Sequence, residues 1–100
     1  MFARVHTLDA TAEQQEAGLR VLREEVLPWL SESTGFRGVV RLTDPEAGKT
    51  ITMTFWETED DLRESADAAE RIGALTAVGI GATRHPIAEY EVMMLELLRE

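Results

Sequence analysis

The chain contains no cysteine, no asparagine and only two histidines. Without cysteine there is no disulfide, no thiolate metal site and no cysteine nucleophile. The histidines, His6 and His85, form neither His-x-His nor His-x-x-x-His, so no metal is expected. Basic charge is also scarce. Lys and Arg number 10 against 19 Asp and Glu, giving a net charge of −9 and a pI near 4.6. Nucleic acid is then a poor partner, since its binding rests on neutralising phosphates. An anionic membrane surface is a poor partner on the same ground. No apolar run is long enough to span a bilayer. The opening Met1–His6 lacks the apolar core and cleavage site of a signal peptide, so a cytoplasmic location is expected. No Ser-His-Asp set, phosphate loop or dinucleotide fingerprint is present, and Gly79-Ile80-Gly81 is too short to count as one.

What is present reads as one domain over residues 1–100, with 44% hydrophobic and 29% charged residues. A domain of this size buries only about two thirds of its unfolded surface. Pairing with a second copy would add to its stability.

Residues 2–8 alternate as a first strand. Thr11, with Gln14 three residues on, forms a capping box that opens a helix running to about Ser33. Leu19, Leu22, Val26 and Leu30 recur at helical spacing and mark its buried stripe, widened by Val21, Leu27 and Trp29. Pro28 inside this pattern predicts a kink or a break. Gly35 suits a left-handed end to the segment. Two period-2 runs, 36–43 and 49–57, flank Asp44-Pro45-Glu46-Ala47-Gly48 and read as a hairpin. Thr58 caps a second helix, with Leu62, Ala66, Ala69 and Ile72 inward. The glycines at 73, 79 and 81 punctuate a stretch that holds a short extra helix and then a loop through His85-Pro86. Residues 88–97 read as a last strand. Residues 91–99 also have helical propensity, but the order of elements calls for a fourth strand.

That order is βαββαβ, a ferredoxin-like α+β arrangement. Four antiparallel strands carry helices on one face, and the bare face needs a cover. Another copy of the chain is the economical one. In the third strand Ile51, Met53 and Phe55 point one way and read as plain core. Thr52, Thr54 and Trp56 point the other way, polar enough for a pocket and aromatic enough to hold an organic molecule.

On these elements the chain resembles the antibiotic-biosynthesis-monooxygenase-like family of the dimeric α+β barrel superfamily. The likeness lies in the strand order, in Gly35-Phe36-Arg37-Gly38 entering strand two and in Thr54-Phe55-Trp56-Glu57-Thr58 leaving strand three. It covers nearly the whole chain. The resemblance implies a homodimer whose two sheets form a barrel, with a pocket in each subunit. Some members oxidise polyketide quinols with no metal or cofactor; others degrade haem; many have no known activity. Trp56 falls where family enzymes often carry a pocket-facing tryptophan. The haem-degrading branch uses an Asn on strand one and a His on helix two, and the quinol-oxidising branch also uses an Asn. This chain has no Asn, and none of the residues from Thr58 to Ile72 is His. The haem branch is thereby disfavoured, and a quinol oxidase here needs another residue to stabilise the substrate oxygen.

The candidate residues follow. His6 would take a proton from a phenol-like substrate, against the plainer role of a hydrogen-bonded strand histidine. Arg41, on one face of strand two with Arg37, would hold an oxyanion. The commoner role for either Arg is an ion pair with Glu57, Glu89 or Glu91. Trp56, Thr52, Thr54 and Tyr90 would bind the ligand. For Trp56 and Tyr90 the ordinary alternative is packing in the core or an interface. His85 reads as an exposed loop residue. The acidic run Glu57, Glu59, Asp60, Asp61 and Glu64 reads as a solvated helix start rather than a metal cluster. The expected protein is a homodimer that binds a small apolar or aromatic molecule. It is a candidate for cofactor-free oxygenation of a phenol or quinol; the alternative is a non-catalytic ligand-binding or structural dimer.

Overall fold

The computed structural model describes residues 1–98. Strand β1 (Phe2–Asp9) is followed by helix α1 (Ala12–Val21), a π-type turn over Leu22–Val26 and helix α2 (Leu27–Glu32). Strands β2 (Phe36–Asp44) and β3 (Lys49–Trp56) form the hairpin. Helices α3 (Glu59–Glu64) and α4 (Ala66–Ile80) precede two short strands, β4 (Thr83–Arg84) and β5 (Ala88–Glu91). The sheet is antiparallel in the order β2-β3-β1-β4, with β5 also on β1. β4 and β5 are thus two pieces of one edge strand, interrupted at Pro86, which has no N–H for the ladder. This is the ferredoxin-like order.

Local chemistry sets the boundaries. Thr11 Oγ1 accepts from Gln14 N–H at 3.2 Å, and Gln14 Oε1 accepts from Thr11 N–H at 2.9 Å. The break before Pro28 takes the form of the π-type turn. Pro28 leaves the Glu24 carbonyl without its usual donor, and Leu27 N–H donates back to the Leu22 carbonyl. Gly35 (φ 79°) turns the chain into β2, and the Asp61 carboxylate fills the space its Cβ would need. Thr58 caps α3 through Asp61 N–H at 3.1 Å.

Several expectations are corrected. Of the expected stripe, Leu30 is buried and Leu22 and Val26 are half-buried, but Leu19 is exposed, and Gln15 and Gly18 turn inward instead. Gly73 does not end a helix: α4 continues unbroken to Ile80, and Gly81 (φ 77°) caps it. The last strand is shorter than 88–97. Residues 92–98 are in neither strand nor helix, and Met93, Leu97 and Leu98 are exposed. Position 99 of the helical alternative lies outside the described residues.

The two faces of β3 also differ from the expectation, although Phe55 is buried as expected and Ile51 and Met53 are half-buried. The helices cover the face that carries Thr50, Thr52, Thr54 and Trp56, all buried, with Arg4 beside them. Ile51, Met53 and Phe55 lie on the opposite face, with Val40, Leu42 and Tyr90, which are exposed. The core under α2 and α3 is Leu30, Trp56 and Leu62, ringed by Phe2, Val26, Trp29 and Phe36.

Candidate functional site

The register places the site. His6 on β1 stands opposite Thr52 on β3, and Thr52 stands opposite Arg41 on β2. These three side chains therefore form one row across three strands, on the helix-covered face. The next row is Arg4, Thr54 and Val39. Between the rows and the helices lies a partly open cavity of about 90 Å³. His6, Arg41, Thr52 and Thr54 line it, as do Arg4, Arg84 and His85. Leu22, Val26, Trp29 and Ile72 supply the apolar wall. The π-type turn contributes Leu22 and Val26, so the irregularity forced by Pro28 shapes this wall.

The charge distribution is one-sided. Among the described residues, three guanidiniums and two imidazoles line the cavity, and no carboxylate does. Arg4 is 1% exposed; it pairs with Glu89 at 3.2 Å and donates to Ser65 Oγ at 2.9 Å. Arg84 pairs with Glu70 and also donates to the Glu70 carbonyl at 3.0 Å. Arg41 donates from Nη1 to the Gly18 carbonyl at 2.9 Å. Its Nε is buried and has no acceptor among the described residues. Burial depresses the Arg41 and Arg4 pKa values, with Glu89 opposing the shift at Arg4. The His6 pKa is lowered to about 4, chiefly by burial and then by Arg4 and Arg84, with Arg41 adding and Glu70 opposing. His6 is therefore neutral near pH 7, a free base among cations.

Two glycines make room for these groups. A Cβ at Gly73 would lie 3.3 Å from Arg84 Nη1 and 3.5 Å from His6 Nδ1. A Cβ at Gly18 would lie 3.5 Å from Arg41 Nη2. Each glycine lets a helix lie close over a cationic side chain of the sheet.

Not every candidate meets here. Trp56 is fully buried beside the cavity rather than lining it. Its Nε1–H donates to Thr54 Oγ1 at 3.0 Å, its ring meets Phe36 edge-on at 5.7 Å, and the Arg4 guanidinium lies 5.6 Å from the ring centroid. Trp56 thus orients Thr54, which does line the cavity. Tyr90 is exposed on the opposite face. Arg37 lies at the register shift between Phe36 and Gly38 and pairs with Glu57 outside the cavity. His85 is at the cavity rim, with Nε2 3.0 Å from Asp9 Oδ2. Sequence reasoning missed Arg84 and Trp29 as lining residues. Arg4 was legible, since it precedes His6 by two positions on the same strand face.

No three His, Asp or Glu side chains converge as a metal site among the described residues. No helix among them is long and apolar enough to cross a membrane.

The fold with a cavity between sheet and helices defines the class: a ferredoxin-like α+β domain. No family model matches the sequence. The uncharacterized protein Rv2558 of Mycobacterium tuberculosis is 27% identical over 95 residues, 95% of this chain. The chain spans about two fifths of the length of the curated relatives it matches. Among solved structures it is similar to a dimeric ferredoxin-like protein from an uncultured marine organism, with TM-score 0.72 and 12% identity over 95% of this chain and 97% of that one. SnoaB, a cofactor-independent oxygenase from Streptomyces nogalater, matches with TM-score 0.68 and 12% identity over 94% of each chain. The monooxygenase ActVA-Orf6 of Streptomyces coelicolor, solved with the ligand Nanaomycin D, matches with TM-score 0.65 and 16% identity over 96% of this chain and 92% of that one. This chain has the fold of antibiotic-biosynthesis-monooxygenase-like and dimeric ferredoxin-like proteins.

Proposed function

We propose that this domain is a cofactor-free monooxygenase acting on a small phenol- or quinol-like substrate, and that it works as a homodimer. The observation that carries this reading is the row His6–Thr52–Arg41 facing one cavity. The shared fold with SnoaB and ActVA-Orf6 supports it.

The arginines and His6 act together on the substrate proton. The cations favour the phenolate over the phenol, while burial works against it. Both burial and the cations disfavour imidazolium, so the proton that His6 accepts is held there by the phenolate formed beside it. Arg41 holds the resulting oxyanion, in the place an Asn would otherwise serve. The electron-rich anion then reduces O2 itself. For a phenol with a free para carbon, one oxygen atom bonds to that carbon and the other leaves as water. The ring C–H and the phenolic O–H supply the two hydrogens of the water. The ring supplies four electrons and ends as a quinone.

A panel of monocyclic phenols and 1-naphthols with a free para carbon, in an oxygen electrode, tests this. The wild type is expected to raise oxygen uptake well above the uncatalysed rate. His6→Ala is expected to lose about 10²-fold or more, the usual contribution of a positioned base. Uptake that is unchanged in both His6→Ala and Arg41→Ala would remove the proposed mechanism.

The apolar row Val40, Leu42, Ile51 and Met53 is the surface a second copy would cover. Light scattering should then give twice the 11.2 kDa chain mass, and Met53→Glu should bring it to the single mass. A monomer in the wild type would overturn the dimer.

The cavity size favours a second reading, a ligand-binding dimer without turnover. At about 90 Å³ it is smaller than the roughly 150 Å³ cavity that binds benzene. Binding of a phenol without any oxygen uptake would select this reading.

A further inference from the structure

The unmatched charge at Arg41 specifies the ligand further. Three guanidiniums face the cavity, and two of them have carboxylates of their own: Arg4 has Glu89 and Arg84 has Glu70. Arg41 has none among the described residues. Its Nη1 is engaged by the Gly18 carbonyl, which leaves the Nε and Nη2 edge without an acceptor. A partly buried cation with an unsatisfied N–H is costly unless something completes it. The edge left open is the one that donates two parallel N–H bonds, and a carboxylate is the group that accepts both. The protein as a whole carries −9, so this cationic cavity is not a by-product of a basic surface.

We infer that the cavity takes an organic acid, its carboxylate on Arg41 and its apolar body against Leu22, Val26, Trp29 and Ile72. Resting on the phenol reading above, the substrate class becomes a phenolic acid rather than a neutral phenol; Arg41 then holds the carboxylate, and Arg84, beside His6 at Gly73, takes over the phenolate oxygen. The cavity volume limits what enters to the acid group and part of one ring, with the remainder at the open side.

The test compares 3-hydroxybenzoate, whose para carbon is free, with its neutral isostere 3-hydroxybenzamide by titration calorimetry on the full chain. The acid is expected to bind about 10-fold or more tightly than the amide, the scale of a charge-assisted pair. Arg41→Gln is expected to abolish that preference. Arg41→Lys, which keeps the charge without the planar fork, is expected to restore only part of it. Circular dichroism checks that the variants are folded.

A second readout uses the wild type alone. The charged and titratable groups around His6 are Arg4 on its own strand, Arg41 on β2, Arg84 on β4, Glu70 on α4 and His85 at the rim. A carboxylate added among them raises the His6 pKa from about 4, seen in the imidazole NMR shifts, whereas the amide leaves it in place. Equal affinity for acid and amide would overturn the inference. So would no binding of either, or a preference that survives in Arg41→Gln. Oxygen uptake in the same samples separates the two claims. Turnover of neutral phenols with no acid preference leaves the oxygenase and removes the carboxylate site. Acid binding without uptake does the reverse.

Discussion

Replacing Trp56 by alanine is expected to lower the unfolding free energy by about 3–5 kcal/mol, the range for a buried large aromatic. No part of Trp56 reaches solvent, and it sits at the centre of Leu30, Leu62, Phe2, Val26, Trp29 and Phe36. Truncation would leave a cavity that two helices and three strands cannot collapse around without shifting. It would also remove the indole hydrogen bond to Thr54 and the edge-on contact with Phe36. A domain of this size has about 5–15 kcal/mol in total, so the variant should be marginal at room temperature. Urea unfolding followed by circular dichroism measures the loss. A loss below about 1.5 kcal/mol would mean that Trp56 is not a core residue. Trp56→Phe, which keeps a ring, should lose less.

Stability is expected to fall as the pH drops from about 6.5 to about 4, by about 3 kcal/mol through His6 alone. The sign follows from proton binding. His6 has an ordinary value of 6.5 unfolded and about 4 folded. Between those values the unfolded chain takes up a proton that the folded chain refuses, and stability rises with pH. Above 6.5 both states are neutral at this position; below about 4 both are protonated, and the slope ends. Each unit of pKa difference corresponds to about 1.4 kcal/mol. Asp9 acts in the same direction at lower pH, because the hydrogen bonds from Lys49 and His85 hold its carboxyl below the usual value. Urea midpoints at a series of pH values, compared with those of His6→Gln, isolate the His6 share. Parallel curves for the two proteins would show that His6 is not buried among cations.

Period and capping made much of this legible from the amino acids. Thr11 with Gln14, Thr58, Gly35 and the alternation of β1 to β3 each act through the residue itself or its near neighbours. So did the break at Pro28, although the π-type form it takes depends on packing. What period alone does not give is which face of a strand the helices will cover. Ile51, Met53 and Phe55 look like core because they are apolar, and of the three Phe55 is buried. They are on the opposite face because Thr52 and Thr54 pair across the sheet with His6, Arg4 and Arg41, whose long side chains fill the space under the helices. The lengths of α4 and β5 were misread for a related reason. Gly73 reads as a breaker in isolation, yet within the fold it admits His6 and Arg84 to the surface of α4. Residues 92–98 have strand and helix propensity, but no partner strand among the described residues holds them. His6, Arg41, Thr52 and Thr54 were traceable because β-register is local. The cavity contributions of Arg84 and Trp29 depend on elements far apart in the chain.

The most direct test of the central claim is to run the reaction under 18O2 and weigh the product. A phenol turned over at the His6–Thr52–Arg41 site should gain one labelled oxygen atom per molecule, the second appearing in water, with no added cofactor. An unlabelled product, or oxygen recovered wholly as hydrogen peroxide, would contradict the account.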